Sequence, residues 1–149
     1  MRVLIQRVAR ASVTIEGERV AEIGRGLLIF VGVATGDSEE DVDYLVKKSS
    51  QLRIFDDENG VMNLDVRQVD GEVLVVSQFT LQAATRKGNR PSYIRAAGEA
   101  EAVPLYESFK AKLAAAIDKA VPCGRFGADM KVELLNDGPV TIWIDSAER

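Results

Sequence analysis

The sequence predicts an α+β fold: a mixed, mainly antiparallel sheet with a barrel-like core and helices packed on one side. Three observations lead there. Apolar runs rich in β-branched residues occupy both ends and the middle of the chain. Two segments with helical spacing fall between them. The resulting order, strands, helix, strands, helix, strands, sets helices against a sheet instead of alternating them with every strand. With 149 residues, the chain fits one domain spanning residues 1–149, and a domain of that size hides roughly 70% of its unfolded surface.

Val3 to Ile15 reads as one long or broken strand, with a hairpin turn at Gly17-Glu18 and a return over Arg19 to Ile23. Gly26 to Ala34 is a continuous apolar run, as expected of a strand buried on both faces. Ser38 is an N-cap candidate followed by Glu39, Glu40 and Asp41 in a first helical turn. Val42, Leu45, Val46, Ser49 and Leu52 then recur at helical spacing, which predicts a helix over 39–52.

Asp56 to Gly60 reads as a solvated hairpin turn, because the alternating oxygen ligands and closing Glu of a Ca²⁺ loop are missing. Glu72 to Phe79 is a strand that ends in polar residues, and Ala83 to Ser92 is a loop carrying Arg86, Lys87 and Arg90. Pro104 is expected in the first turn of a second helix, with Tyr106, Phe109, Leu113 and Ile117 as its apolar stripe and Pro122 and Gly124 as its stop. Met130 to Leu135 and Val140 to Ile144 read as two final strands separated by a turn at Asn136-Asp137-Gly138-Pro139.

Composition excludes several chemistries. The chain has no histidine and one cysteine, Cys123. A Ser-His-Asp or Cys-His arrangement cannot be built, nor can a His-based zinc site, an iron–sulfur cluster or an internal disulfide. Cys123 is read as a buried small hydrophobe. Gly24-Arg25-Gly26 lacks the third glycine and following helix of a dinucleotide fingerprint, and no Walker-type loop is present. No metal and no cofactor are expected. The net charge of −4 and a pI near 5.0 argue against a long nucleic-acid groove but allow a local contact with one RNA or DNA end. The start of the chain leads directly into a strand, without a signal-type segment, and no apolar run is long enough to span a bilayer. A cytoplasmic location is expected.

Two segments stand out. Ser77-Gln78-Phe79-Thr80 lies where an apolar strand meets a loop, a place that can aim amides and hydroxyls into a cleft and hold an oxyanion without a titrating group. By residue type alone, local hydrogen bonding at the sheet end is the default for Ser77 and Thr80. A Thr80 nucleophile would need an activating base, and only Lys87 or a distant carboxylate is on offer. Gly138-Pro139 is by default a turn. Arg86, Lys87 and Arg90 form the densest basic cluster, by default a solvated loop but able to hold a few phosphates. Phe79, Tyr93 and Phe126 could stack on a base, although each is more often core packing.

Taken together, these residues resemble the D-aminoacyl-tRNA deacylase family over essentially the whole chain. The match runs through Met1-Arg2-Val3, Gln6-Arg7-Val8, Leu52-Arg53-Ile54-Phe55 and Met62-Asn63 to Ser77-Gln78-Phe79-Thr80-Leu81. It continues through Lys87-Gly88-Asn89-Arg90-Pro91-Ser92, Phe126-Gly127-Ala128-Asp129-Met130 and Asn136-Asp137-Gly138-Pro139-Val140-Thr141. Gln82, Ala84, Tyr93 and Cys123 depart from residues frequent in the family.

The resemblance implies a hydrolase that cleaves D-aminoacyl-tRNA and glycyl-tRNA, rejects the L-form and relies on the substrate's terminal 2′-hydroxyl. It assigns catalysis to Ser77, Gln78, Phe79 and Thr80, mostly through main-chain atoms. Chiral selection falls to Gly138 and Pro139, with a cis bond between them, and contacts to the tRNA 3′ end fall to Arg86, Lys87, Arg90, Phe126 and Met130. It further implies a homodimer in which Gly138-Pro139 of one subunit enters the other's active site. The competing readings are a non-catalytic module that binds nucleic-acid ends and an esterase with a Thr80 nucleophile.

Overall fold

A computed structural model describes residues 1–149. Its organising element is β1 (Arg2–Ile15), which carries neighbours on both edges. On one edge the first half of β1 pairs antiparallel with β3 (Gly26–Gly32) and the second half with β2 (Glu18–Ile23). On the other edge β7 (Lys131–Asp145) runs antiparallel along nearly its whole length. Two residues, Phe55–Asp56 (β4), pair with Met62–Leu64 (β5) in a small separate hairpin. β6 (Glu72–Ser77) lies parallel to β3, from Gly26 opposite Glu72 to Val31 opposite Ser77. The sheet is therefore mixed and mainly antiparallel.

The register of β1 slips between Gln6 and Val8, between Val8 and Arg10, and between Val13 and Thr14. Such irregularities bend and twist a strand, and the sheet curls so that it serves two cores. Alternate residues of the inner strands divide between them: Leu27, Ile29, Val31, Val73 and Val75 point to one side, Leu28, Leu74 and Val76 to the other. The larger core is covered by α1 (Glu39–Gln51) and α2 (Glu99–Ile117). The smaller contains no helical residue and fills the curl of the sheet with Val8, Val13 and Ile23. Helices thus occupy one side only, as the sequence predicts.

α1 starts as expected, with the Ser38 amide donating to Asp41 Oδ2 at 2.8 Å. α2 corrects the reading of its start. It begins after Gly98, so Pro104 is its sixth residue and not part of the first turn. Pro104 is exposed, as is Ala100, the residue whose carbonyl lacks a donor because of it, so water can serve that carbonyl. The helix stops at Asp118, in the left-handed conformation at φ 53°, ahead of Pro122 and Gly124.

The last two strands are also corrected. Both halves of β7 pair with β1 and run in one direction, and the chain does not reverse at 136–139. Thr141 faces Gln6 and Asn136 faces Val8, so residues 137–140 bulge out opposite Arg7. The turn residues Asn136 to Pro139 encode an excursion from one continuing strand, not a turn that separates two strands.

Candidate active site

Ser77 ends β6 and Gln78 leaves it, while Phe79–Gln82 form a 3₁₀ turn. The turn is fixed from several directions. The Gln78 amide donates to Val31 O at 2.7 Å. Arg2 Nη1 donates to Leu81 O at 2.8 Å while its Nε is paired with Asp145 at 2.8 Å. Gln82, placed in a loop by its sequence, is buried and donates from Nε2 to Gly32 O at 2.8 Å. Gly32 must be small, because a Cβ there would lie 2.8 Å from Gln78 O.

Beside this turn is a cavity of about 310 Å³, lined mainly by apolar groups, in the size range of small-ligand sites. Ser77, Gln78 and Phe79 form one wall, Phe126 to Met130 another, and Val33, Ala97 and Tyr106 contribute further lining. The structure therefore brings together five of the sequence-derived residues: Ser77, Gln78, Phe79, Phe126 and Met130. Thr80 lies just outside. Its hydroxyl takes a hydrogen bond from Gln78 Nε2, and an amide donor cannot act as a base. Arg86, Lys87 and Arg90 are exposed on the loop that follows and do not line the cavity.

Tyr106 appears in the sequence only as one member of the helical stripe. It is buried, its ring centroid lies 5.8 Å from that of Phe126, and Lys110 Nζ sits 4.7 Å from the ring centroid. Its hydroxyl faces the Ser77 amide without completing a hydrogen bond of good geometry. Burial, together with Cys123 and Glu107 nearby, pushes this hydroxyl above the ordinary tyrosine value, so it stays protonated at neutral pH. Cys123 is half-buried, not fully buried, and its Sγ is 3.4 Å from Lys110 Nζ.

Gly138 and Pro139 are absent from the cavity of their own chain. The bond between them is cis, and Gly138 has φ 110°. The bulge is held from beneath by Arg7, which is nearly buried. Arg7 donates from Nη1 to Ile54 O at 2.7 Å and from Nε to Asp137 O at 3.2 Å. Asn136 ties the two ends of the bulge together, donating from Nδ2 to Arg7 O and to Val140 O at 3.0 Å each. Thr141 Oγ1 donates to Pro139 O at 3.1 Å. Sequence reasoning gave Arg7 no role. The signal was a charged residue interrupting the apolar alternation of β1.

No group of His, Cys, Asp and Glu side chains is arranged to hold a metal ion, and no helix is long and apolar enough to cross a membrane. The site consists of fixed amides, a hydroxyl and aromatic walls; its one lining carboxylate, Asp129, is on the wall opposite the strand end and pairs with Lys131 at 3.2 Å.

This curled sheet and its histidine-free cavity belong to a known class of proteins. The profile of the D-Tyr-tRNA(Tyr) deacylase family matches residues 4–145. A D-aminoacyl-tRNA deacylase of Bacteroides thetaiotaomicron is 58% identical over 149 residues, covering 100% of this chain and 99% of that protein. One from Chromobacterium violaceum is 57% identical over 146 residues, 98% of this chain and 97% of that protein. A solved structure described as c-Myc DNA Unwinding Element Binding Protein superposes with a TM-score of 0.92 at 39% identity, covering 97% of this chain and 98% of that one. A probable eukaryotic D-amino acid tRNA deacylase shares the fold at a TM-score of 0.82 and 17% identity, over 96% of this chain and 97% of that one. The chain belongs to the D-Tyr-tRNA(Tyr) deacylase family.

Proposed function

We propose that this family member hydrolyses the ester between a D-amino acid, or glycine, and the 3′-terminal ribose of tRNA, and rejects the L-aminoacyl ester. The observation that carries this reading is the meeting of Ser77, Gln78 and Phe79 with Phe126 and Met130 around one cavity that has no histidine to offer. An enzyme without a strong base needs a labile bond and a substrate that brings its own reactive group, and an aminoacyl ester beside a ribose hydroxyl supplies both. Water adds to the ester carbonyl. The 2′-hydroxyl takes up the proton released by the attacking water and passes its own to the leaving 3′ oxygen as the carbon–oxygen bond breaks, so that it ends as it began. The negative charge on the former carbonyl oxygen is held by the main-chain amide of Phe79, which opens the 3₁₀ turn and has no partner within it. One such donor is worth roughly 3–4 kcal/mol, and fixed placement of the ester adds to it.

Handedness is read by exclusion. The carbonyls of Gly138 and Pro139 occupy the volume that an L side chain needs, while a D side chain points elsewhere and glycine has nothing to exclude. These residues lie outside their own cavity, so the reading requires a homodimer in which each bulge completes the partner's site. Two features support that arrangement. β7 pairs on one edge only, and Leu135 and Trp143 on this strand are each 47% exposed. The same reading treats residues 1–149 as one catalytic domain and places it in the cytoplasm, where charged tRNA is used.

A second reading, a module that binds nucleic-acid ends without cleaving them, is favoured by the 39% identical structural relative described as a DNA unwinding element binding protein. One experiment separates the two. Purified protein should release D-tyrosine and glycine from charged tRNA and leave L-tyrosyl-tRNA intact. Binding without release supports the module, and equal cleavage of both enantiomers ends the exclusion account.

A further inference from the structure

The rim of the cavity carries a surface that the chemistry above leaves unused. Phe79 lines the cavity yet is 56% exposed, and its ring meets Tyr93 at a centroid distance of 5.1 Å and an angle of 75°. Tyr93 is 38% exposed. The segment carrying Tyr93 is anchored. Ala84 and Ser92 exchange backbone hydrogen bonds at 2.8 and 2.9 Å, and the Ala97 amide donates to Val33 O at 3.0 Å, beside the cavity wall. Charge is concentrated here as well. From Val73 to Gly98 the chain has no Asp or Glu but carries Arg86, Lys87, Arg90 and Arg95, within a protein of net charge −4. All four cations are exposed, and none forms an ion pair with a carboxylate.

We infer that the Phe79–Tyr93 pair is a stacking platform for the single-stranded nucleotides that precede the terminal adenosine of tRNA, with Arg86, Lys87, Arg90 and Arg95 holding their phosphates. The inference rests on the deacylase reading and extends it beyond the cavity. Phe79 both lines the cavity and faces solvent, so an RNA strand that delivers its last nucleoside to the cavity finds this ring at its edge. Exposed aromatic faces beside unpaired cations are the combination that single-stranded nucleic acid recognises, because every base has a π-face and every linkage a negative charge. A second copy of this chain is a poorer occupant, since a two-fold contact would set the same four cations against themselves.

The test uses two substrates with the wild-type enzyme and Tyr93→Ala: D-tyrosyl-tRNA and the D-tyrosyl ester of adenosine alone. Loss of one stacking face should raise KM for the tRNA about tenfold and leave kcat unchanged. The adenosine ester should be cleaved as by wild type, and Tyr93→Phe should restore the wild-type KM. Replacing Arg86, Lys87 and Arg90 together by Gln should flatten the fall of kcat/KM with added salt for the tRNA only. Equal effects on both substrates, or no effect on either, would overturn the platform. So would loss of a dimer in sedimentation on Tyr93→Ala, which would make the patch a self-contact. Wild-type protein that cleaves neither ester would instead remove the deacylase reading, and the platform with it.

Discussion

The guanidinium of Arg7 lies against Gly138, so close that a Cβ on Gly138 would meet Nη2 at 2.6 Å. The guanidinium has little room to retreat, being bonded to Ile54 O and Asp137 O. Arg7 therefore fixes from below the segment that is proposed to read handedness, and Gly138 is required by this contact as well as by its φ of 110°.

Gly138→Ala should destabilise the protein by about 1–3 kcal/mol through backbone strain at positive φ, with the Arg7 contact adding to it. Urea denaturation measures the loss. A variant as stable as wild type would mean that the bulge can relax away from Arg7.

Thr80→Ala should keep activity on D-tyrosyl-tRNA to within about tenfold, since the hydroxyl is bonded to an amide and has no base beside it. Removal of a true nucleophile costs roughly 10⁴-fold or more in kcat. A fall of that size would restore Thr80 to the mechanism.

An aminoacyl-tRNA ending in 2′-deoxyadenosine should be cleaved at least about 100-fold more slowly, the scale of a missing proton-transfer group. Its affinity should be little changed. Single-turnover rates at saturating enzyme read the chemical step directly, and an unaltered rate would show that the ribose hydroxyl is a bystander.

Acid stability should depend on Asp41. Burial alone would raise its value, but hydrogen bonds from Ser146, the Ser38 amide and Arg149 outweigh burial and bring it down from 3.8 to about 2. The folded protein thus holds this proton less tightly than the unfolded chain. The resulting stability is fully present above pH 3.8 and is lost as pH falls through about 2. At about 1.4 kcal/mol per pH unit, the drop is worth about 2 kcal/mol. Asp41→Asn should lower the melting temperature at pH 7 and converge with wild type near pH 2. A gap that persists at pH 2 would assign the loss to packing.

Much of the fold was legible because local pattern and tertiary role agreed. The β-branched alternation of Val3 to Ile15, the apolar run from Gly26 and the acids after Ser38 each point to one structure. Legibility failed where a residue's role is set by a neighbour distant in sequence. Pro104 reads as a helix start because proline favours first turns, but the preceding turn is helical and the carbonyl left without a donor, that of Ala100, is on an exposed residue. Asn136 to Pro139 reads as a turn between two strands because nothing local reveals that β1 continues to pair beyond it. At the site, the Ser77–Phe79 wall and Phe126 with Met130 were named from sequence and meet around one cavity. The supports were not legible: Arg7 and Gln82 act through carbonyls that only the folded chain brings near. Gly138 and Pro139 were also named, and their distance from their own cavity is what makes a second subunit necessary to the proposal.

The pairing of β1 with β7 has a consequence for how the protein is made. The Met1 ammonium donates to Ser146 Oγ at 2.9 Å, and β1, made before every other strand described, is completed by β7, made after them. Throughout synthesis, one edge of β1 waits without its partner, an open template for a neighbouring nascent chain. Closing so distant a pair makes folding slow relative to its local steps. Each newly made chain therefore carries an unpaired β1 edge until Lys131–Asp145 is available to cover it.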